Sequence, residues 1–265
     1  MNGALWTLPL LAVVVAFRSS PSFGLVGDAE LLIADNPLME DLGALPDMVT
    51  EDYFWSPAGE RIGYWRPLTK ASWLVETVIG GRAASTYHFV QIAWLLLAVL
   101  GVQLLGRRLG LPLHLACASA LLVGLHPVAV EPVCLVMARS DVACVAGVVW
   151  ALVAWRGWRE GSRPRLWASI HVVALVVAFG SKEAAIVALP LVLLWSAMEG
   201  DLAEGRRHRL WTTVPALSVT AVYLLCRWIV LGSGAGVDLD PDPLRILVGG
   251  GAYLRGALPF VVDTG

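Results

Sequence analysis

Long apolar runs alternate with short polar breaks along the chain, and the breaks are of two kinds. Apolar runs lie near 3–17, 87–105, 111–126, 140–156, 166–181, 184–198 and 210–231. A helix crossing a bilayer core needs about 20 such residues, so the shorter runs extend into their flanking breaks. The breaks after the second, fourth and sixth runs are basic: Arg107-Arg108, Arg156 to Arg165, and Arg206-Arg207-His208-Arg209. Breaks of the other parity, with the long segment 18–86, hold Asp28, Glu30, Arg66, His126, Glu131, Arg139, Asp141, Lys182 and Glu183. Arginine-rich short loops mark the cytoplasmic side of a membrane. The N-terminus is then cytoplasmic, and the second set gathers on the extracytoplasmic face, where it could build a site.

This pattern predicts an all-α, polytopic membrane protein of about seven transmembrane helices with a long first extracytoplasmic loop. The whole chain, 1–265, reads as a single transmembrane module without a soluble domain. Within the loop, Pro67 suits the first turn of a helix, where its missing N–H would be unpaired anyway. Leu68, Trp73-Leu74-Val75 and Val78-Ile79 would form one broad apolar face, and Gly80-Gly81 would end it. That is an amphipathic helix lying on the membrane surface; Pro37 to Leu45 suggests a second, shorter one. Trp155, Trp158, Trp167 and Trp211 fall where an interfacial belt would sit on the cytoplasmic side.

Composition agrees. Of 265 residues, 57% are hydrophobic and 15% charged, against about 25% charged in a soluble domain, and the mean hydropathy is +0.70. The net charge of −2 says little about partners, and no basic stretch suits a nucleic acid. The four cysteines lie in or near apolar spans without CxxC spacing and read as small buried residues. Met1 to Phe17 lacks a basic n-region and an A-x-A-like site, so it reads as a retained span, not a cleaved signal peptide. A partial eighth span with Gly249-Gly250-Gly251 and Arg255 begins near Arg245 and stops at Gly265, as in a truncated chain.

Four constellations carry candidate chemistry, each with a plainer reading. Asp28 could act as a general base on an acceptor hydroxyl. With Glu30 it could instead share a divalent cation, or both could be solvated. No other cofactor and no metal cluster is expected. Arg66, ahead of Pro67, could bind a phosphate at a helix N-terminus, or snorkel among headgroups. The run His126-Pro127 to Glu131-Pro132, then Arg139-Ser140-Asp141, places charges at membrane depth, where they persist when paired or functional. Glu131 and Arg139 could brace the turn as a pair; otherwise Arg139 meets a phosphate with His126 or Glu131 behind it. Lys182-Glu183 is a self-neutralising turn or a phosphate contact.

In order, these motifs resemble a known family. Asp28-x-x-Leu31-x-Ile33-x-Asp35-Asn36-Pro37, then Tyr64-x-Arg66-Pro67-Leu68-Thr69, His126-Pro127-Val128-x-x-Glu131-x-Val133, Arg139-Ser140-Asp141 and Ser181-Lys182-Glu183 resemble one branch of the GT-C glycosyltransferases. The likeness is greatest to the O-mannosyltransferase-like membrane proteins that carry tetratricopeptide repeats in longer relatives, and it covers residues 20–200. It implies inverting transfer of a sugar, mannose among the candidates, from a polyprenyl-phosphate donor to a protein or glycan hydroxyl on the extracytoplasmic face. It assigns the catalytic base to Asp28 and donor-phosphate binding to Arg66. Arg139 and Lys182 match family positions, and we read them as further phosphate ligands, with Glu30, His126, Glu131, Asp141 and Glu183 in support. The chain departs from the family at Ala29, where a second acid is usual, and, after the motif histidine His88, at Gln91 and Leu95. A catalytically inactive or truncated scaffold or lipid-handling component is the alternative; a transporter is disfavoured, since no span is broken around midplane charges. Arginine's excess over lysine suggests a GC-rich gene and a bacterial cytoplasmic membrane.

The topology has a direct check. In a background without native cysteines, a cysteine at Glu160 should resist impermeant labelling in intact cells, and one at Ala58 should label. Ready labelling at Glu160 from outside would reverse the orientation.

Overall fold

In the computed structural model, which describes residues 2–54, 63–161, 163–199 and 211–232, every regular element is a helix. They are α1 (Asn2–Ala16), α2 (Leu45–Thr50), α3 (Pro67–Gly80), α4 (Ala84–Arg108), α5 (Leu113–Gly124), α6 (Val130–Cys134), α7 (Arg139–Arg159), α8 (Pro164–Ser181), α9 (Ala188–Met198) and α10 (Val214–Leu231). Among the described residues, five segments are long and apolar enough to cross a membrane: Gly3–Ser22, Ala84–Arg108, Val136–Arg159, Pro164–Ser181 and Trp211–Leu231. The protein is therefore a multi-pass membrane protein. Two of the seven expected spans differ. The one near 111–126 continues as Leu113–Gly124 plus Pro127–Cys134, bent by 52°, and makes a sixth if counted as one span. Pro127 lacks the N–H that would continue α5, and His126 before it is held extended. The stretch Glu183–Met198 is apolar but short, below the ~20 residues a bilayer core needs. The break at Arg206–Arg209 and the partial span from Arg245, with Gly249–Gly251 and Arg255, lie outside the described residues.

α7 and α8 form an antiparallel hairpin, held by a buried core of Cys144, Ala151, Leu175, Ala178 and Phe179 that α9 and α10 complete with Val192 and Tyr223. Small residues set the crossing. A Cβ on Gly147 would stand 2.7 Å from the Ala178 nitrogen and 2.8 Å from the Ala174 oxygen, so the two backbones nearly touch, as helices in lipid do where small residues meet. A second core joins α1, α4, α5 and α7 through Val13, Phe17, Val99, Ala120 and Val142. Trp155 is fully buried and packs on Trp195 at 5.4 Å. It is a core residue, not part of the expected aromatic belt.

The two basic breaks among the described residues meet at one end of the bundle, where Arg108, Arg156 and Arg159 are paired. Arg108 bonds to Glu160 and lies 4.4 Å over the Trp167 ring. Arg156 pairs with Glu160 and Glu199, and Arg159 reaches Glu199 at 2.7 Å. Two of the three arginine-rich breaks thus share one ion-pair network.

At the other end, the segment after α1 is a folded cap with its own core: Ala29, Leu32, Ile33, Met39, Met48, Tyr53, Trp73 and Leu74, closed by Tyr87 and Val136. Its short elements are capped locally. Asn36 accepts from the Leu38 N–H at 2.9 Å and Asp41 accepts from that of Gly43, which accounts for the Asp35-Asn36-Pro37 run. The stretch Pro37 to Leu45 yields two 3₁₀ turns, Pro37–Met39 and Leu42–Ala44, leading into α2. α3 begins at Pro67 and ends at Gly81, whose φ of 67° suits glycine. Its predicted single apolar face splits: Trp73 and Leu74 enter the cap core, while Val75, Val78 and Ile79 are exposed. The buried side also carries Lys70 and Glu76, because each finds a partner there.

Lys70 donates to the Asp52 carbonyl at 2.8 Å. Burial lowers its pKa from 10.5 to about 8, against the opposing pull of Asp52, Glu51 and Asp47. An unfolded lysine holds its proton to higher pH. Between about 8 and 10.5 the unfolded chain therefore binds more protons, and stability should rise with pH across that window. The rise should be about 2–3 kcal/mol. Thermal unfolding in detergent from pH 7 to 10.5 should show this slope in wild type and not in Lys70→Met; equal slopes would refute it.

Candidate functional site

Arg66 is aimed by what surrounds it. Asp52, buried, accepts from the backbone N–H groups of Phe54, Gly63 and Tyr64 at 2.9, 2.7 and 3.0 Å. It thereby pins together both ends of the loop before Arg66. Trp65 donates to the Val49 carbonyl at 2.8 Å and stacks on Tyr223 of α10 at 5.4 Å. Arg66 then takes the N-cap position of α3. Its guanidinium lies 5.0 Å over Tyr53 and 4.8 Å over Tyr64, donates to Ser140 Oγ at 3.3 Å and pairs with Glu183 at 3.2 Å. The α3–α8 approach that makes this possible needs Gly180, since a Cβ there would stand 3.0 Å from that of Leu68. Thr69 seals it by donating to the Ser181 carbonyl at 3.4 Å.

Beside this pair stands a second. Lys182 follows α8 and bonds to Asp141 in the first turn of α7. Three separate motifs, Tyr64-to-Thr69, Arg139-Ser140-Asp141 and Ser181-Lys182-Glu183, therefore meet at the cap end with two ion pairs adjacent. Burial pushes the Glu183 carboxyl up, but the Arg66 hydrogen bonds and charge outweigh it and hold it below its usual range. The site is charged yet locally neutral, so an incoming anion has to exchange with a carboxylate.

Asp28 and Glu30 are exposed, on a tight turn that opens at Gly27 (φ 62°) and continues as a five-residue π-helical turn, Glu30–Ala34. Such turns recur at functional sites. The charges of Asp28 and of Arg66 both reach Tyr53. Burial raises the Tyr53 phenol pKa strongly, Arg66 and Arg139 lower it, and Asp28 raises it. The Tyr53 hydroxyl is tied to the Met137 carbonyl at 3.0 Å. His126 caps its own turn, accepting from Val128 at 3.2 Å. With Asp141 it lines an otherwise apolar cleft of about 440 Å³ between α4, α5 and α7. Glu131 is exposed and does not meet Arg139. Among the described residues no three His, Cys, Asp or Glu side chains gather as a metal site.

Comparison with known proteins bears on this arrangement. Over 175 residues, 64% of the chain, it is 30% identical to Protein O-mannosyl-transferase Tmtc2 of Drosophila melanogaster. Over 183 residues, 67% of the chain, it is 28% identical to Protein O-mannosyl-transferase Tmtc1 of the same animal. Its relatives are protein O-mannosyl-transferases. The matches span 19% and 21% of those proteins, so the chain corresponds to about a fifth of each. No family model and no solved structure matches.

In this relative of the O-mannosyl-transferases, Arg139 does not stand beside Arg66 as an open ligand. It is 1% exposed. It bonds to Glu76, donates to Ser72 Oγ and Gln91 Oε1, both at 3.1 Å, and to the Tyr87 carbonyl at 2.9 Å. The partner expected of Glu131 is supplied by Glu76, a residue the apolar reading of α3 overlooked. Gln91, one of the departures from the family pattern, links Arg139 to the Pro132 and Leu135 carbonyls. Sequence reasoning does not single out Asp52 either, an acid just ahead of the aromatic run Tyr53-Phe54-Trp55. Breaking a buried pair typically costs 3–5 kcal/mol, because the survivor is left charged and unpaired. Arg139→Ala should therefore destabilise the folded protein by about that amount, seen as a large fall in Tm in detergent. A fall as small as that for a surface arginine would contradict the buried role.

Proposed function

We propose that this chain is the membrane module of a GT-C-type glycosyltransferase, moving a sugar, mannose in the first instance, from a polyprenyl-phosphate donor to a protein hydroxyl on the extracytoplasmic face. The observation that carries the reading is the meeting of Arg66, Lys182, Asp141 and Glu183 from distant motifs, with Asp28 exposed and its charge, like that of Arg66, reaching Tyr53. Relatives named as O-mannosyl-transferases support it from the side of chemistry.

In this reading the acceptor hydroxyl gives its proton to Asp28 as its oxygen attacks the anomeric carbon from the face opposite the phosphate. The anomeric C–O bond breaks, its electrons leave with the lipid phosphate, and the sugar is inverted. Arg66 and Lys182 meet the growing negative charge, a fixed electrostatic contribution to the rate. To do so they release Glu183 and Asp141. Arg139 acts beneath them as a positioning residue, since its neighbour Ser140 holds Arg66.

Asp28→Asn should cut mannosyl transfer by about 10²–10⁴-fold, the usual cost of losing a general base, while leaving donor binding and thermal stability near wild type. Measured with a polyprenyl-phosphate mannose donor in nanodiscs, undiminished transfer by the Asn variant would remove Asp28 from the mechanism and pass the role to Glu30, whereas no transfer by the wild type would favour a non-catalytic module.

A further inference from the structure

α10 holds one arginine in a span otherwise free of charge, and that arginine is directed at the cap. Arg227, in the last turn but one of the helix, donates from Nη2 to the Gly63 carbonyl at 3.1 Å. Tyr223, one turn earlier and buried, faces the same guanidinium, and the two side chains share a hydrogen bond. The Tyr223 ring lies between Trp65, stacked on it at 5.4 Å, and Phe179 of α8 at 4.9 Å. Gly63 and Trp65 belong to the short stretch that leads into Arg66.

Each residue of that stretch is held from two sides. The Gly63 N–H bonds to Asp52 at 2.7 Å, and the Gly63 carbonyl accepts from Arg227. The Tyr64 N–H bonds to Asp52 at 3.0 Å, and the Tyr64 carbonyl accepts from the Tyr53 N–H at 2.7 Å. Trp65 donates to Val49 and stacks on Tyr223. Asp52, Tyr53 and Val49 are cap residues, so they give the stretch its shape within the cap. Of these partners, Arg227 and Tyr223 are the ones on a transmembrane helix. A charged residue in a membrane span is retained where it is paired or functional. Snorkelling toward headgroups does not describe Arg227, because its Nη2 is engaged with the backbone of the cap. Neither a carbonyl nor a hydroxyl needs a formal charge opposite it. What the pair needs is one donor group that reaches both at once. The planar guanidinium fork does this, and with its orientation fixed by Tyr223 it holds Gly63 at a set distance from α10.

We infer that Arg227 and Tyr223 are positioning residues for Arg66: α10 clasps the stretch from Gly63 to Trp65 and so sets where the Arg66 guanidinium stands relative to Glu183 and Lys182. Neither residue touches substrate. The inference rests on the donor reading proposed above. It adds a control on the phosphate arginine from a helix that the motif order does not contain, since α10 lies beyond residues 20–200. Without the clasp Arg66 keeps its charge and its Glu183 partner, but it is free to settle on that carboxylate instead of exchanging it for a phosphate. The lipid phosphate should then bind less tightly while the fold is retained.

The test is a binding titration of the full chain in zwitterionic nanodiscs, with undecaprenyl phosphate and undecaprenol as probes and Tm recorded for each variant. Wild type should prefer the phosphate lipid, and Arg66→Ala should abolish that preference. Arg227→Met should weaken binding of undecaprenyl phosphate about tenfold and leave undecaprenol unaffected. Arg227→Lys should recover part of the loss, since an ammonium reaches the carbonyl but lacks the second arm of the fork. Tyr223→Phe, which keeps both ring contacts, should weaken binding several-fold. A double-mutant cycle then separates the routes. In an Arg66→Ala background, Arg227→Met should cost no further affinity, because it acts through Arg66. Additive losses would mean that Arg227 acts on the ligand by itself, and a lowered Tm with the preference intact would mean a structural brace; either result overturns the inference and leaves the donor reading standing. Should Arg227→Met not fold, Tyr223→Phe decides alone, and an undiminished preference in that variant refutes the clasp. If wild type shows no preference, or Arg66→Ala keeps it, the donor reading fails and this inference falls with it.

Discussion

A guanidinium sealed from water keeps its charge and must find acceptors for its N–H donors, and the cap end of this protein is organised around one that finds four. Arg139 draws a carboxylate and a hydroxyl from α3, and an amide oxygen and a backbone carbonyl from α4. Three helices are joined there by polar bonds, beside the apolar contacts that Trp73, Tyr87 and Val136 make in the cap core. The next two residues of the chain, Ser140 and Asp141, then face Arg66 and Lys182. The buried pair contributes little net stability as such. Its effect is to fix the register of the α7 N-terminus against the cap, and with it the two exchangeable ion pairs above.

Much of this was legible before any coordinates. The alternation of apolar runs and polar breaks gave the helical membrane architecture, and Pro67 with Gly80-Gly81 bounded α3. The motifs around Arg66, Asp141 and Lys182 were recognisable individually, and they do assemble at one end. What could not be read was partnership. Glu76 lies inside a stretch whose neighbours are apolar, so periodicity alone hides a buried acid there. Gln91 looked like a loss relative to the family pattern, yet it bridges Arg139 to the chain after Pro132. The splitting of the α3 face, and the sinking of Trp155 into the core, follow from cap and hairpin packing that no local window contains.

Ala29 shows the same limit from the other direction. The family pattern has a second acid at this place. Here the side chain is 1% exposed among Leu32, Ile33 and the other cap residues. A carboxylate so enclosed would need its own hydrogen-bonding partners. Alanine lets the turn close onto the apolar core and leaves Asp28 as the exposed acid next to it.

The contact at Gly147 has a mechanical meaning. Because the α7 and α8 backbones touch there, the hairpin behaves as a strut. Sliding one helix past the other would drive Gly147 against the larger side chains of the next turn. Asp141 and Lys182 sit at the open end of that strut, so their separation is set by a rigid body. The freedom that the proposed transfer would need to admit and release its substrate then falls to α10, since the cap is itself held to the hairpin where Gly180 meets Leu68.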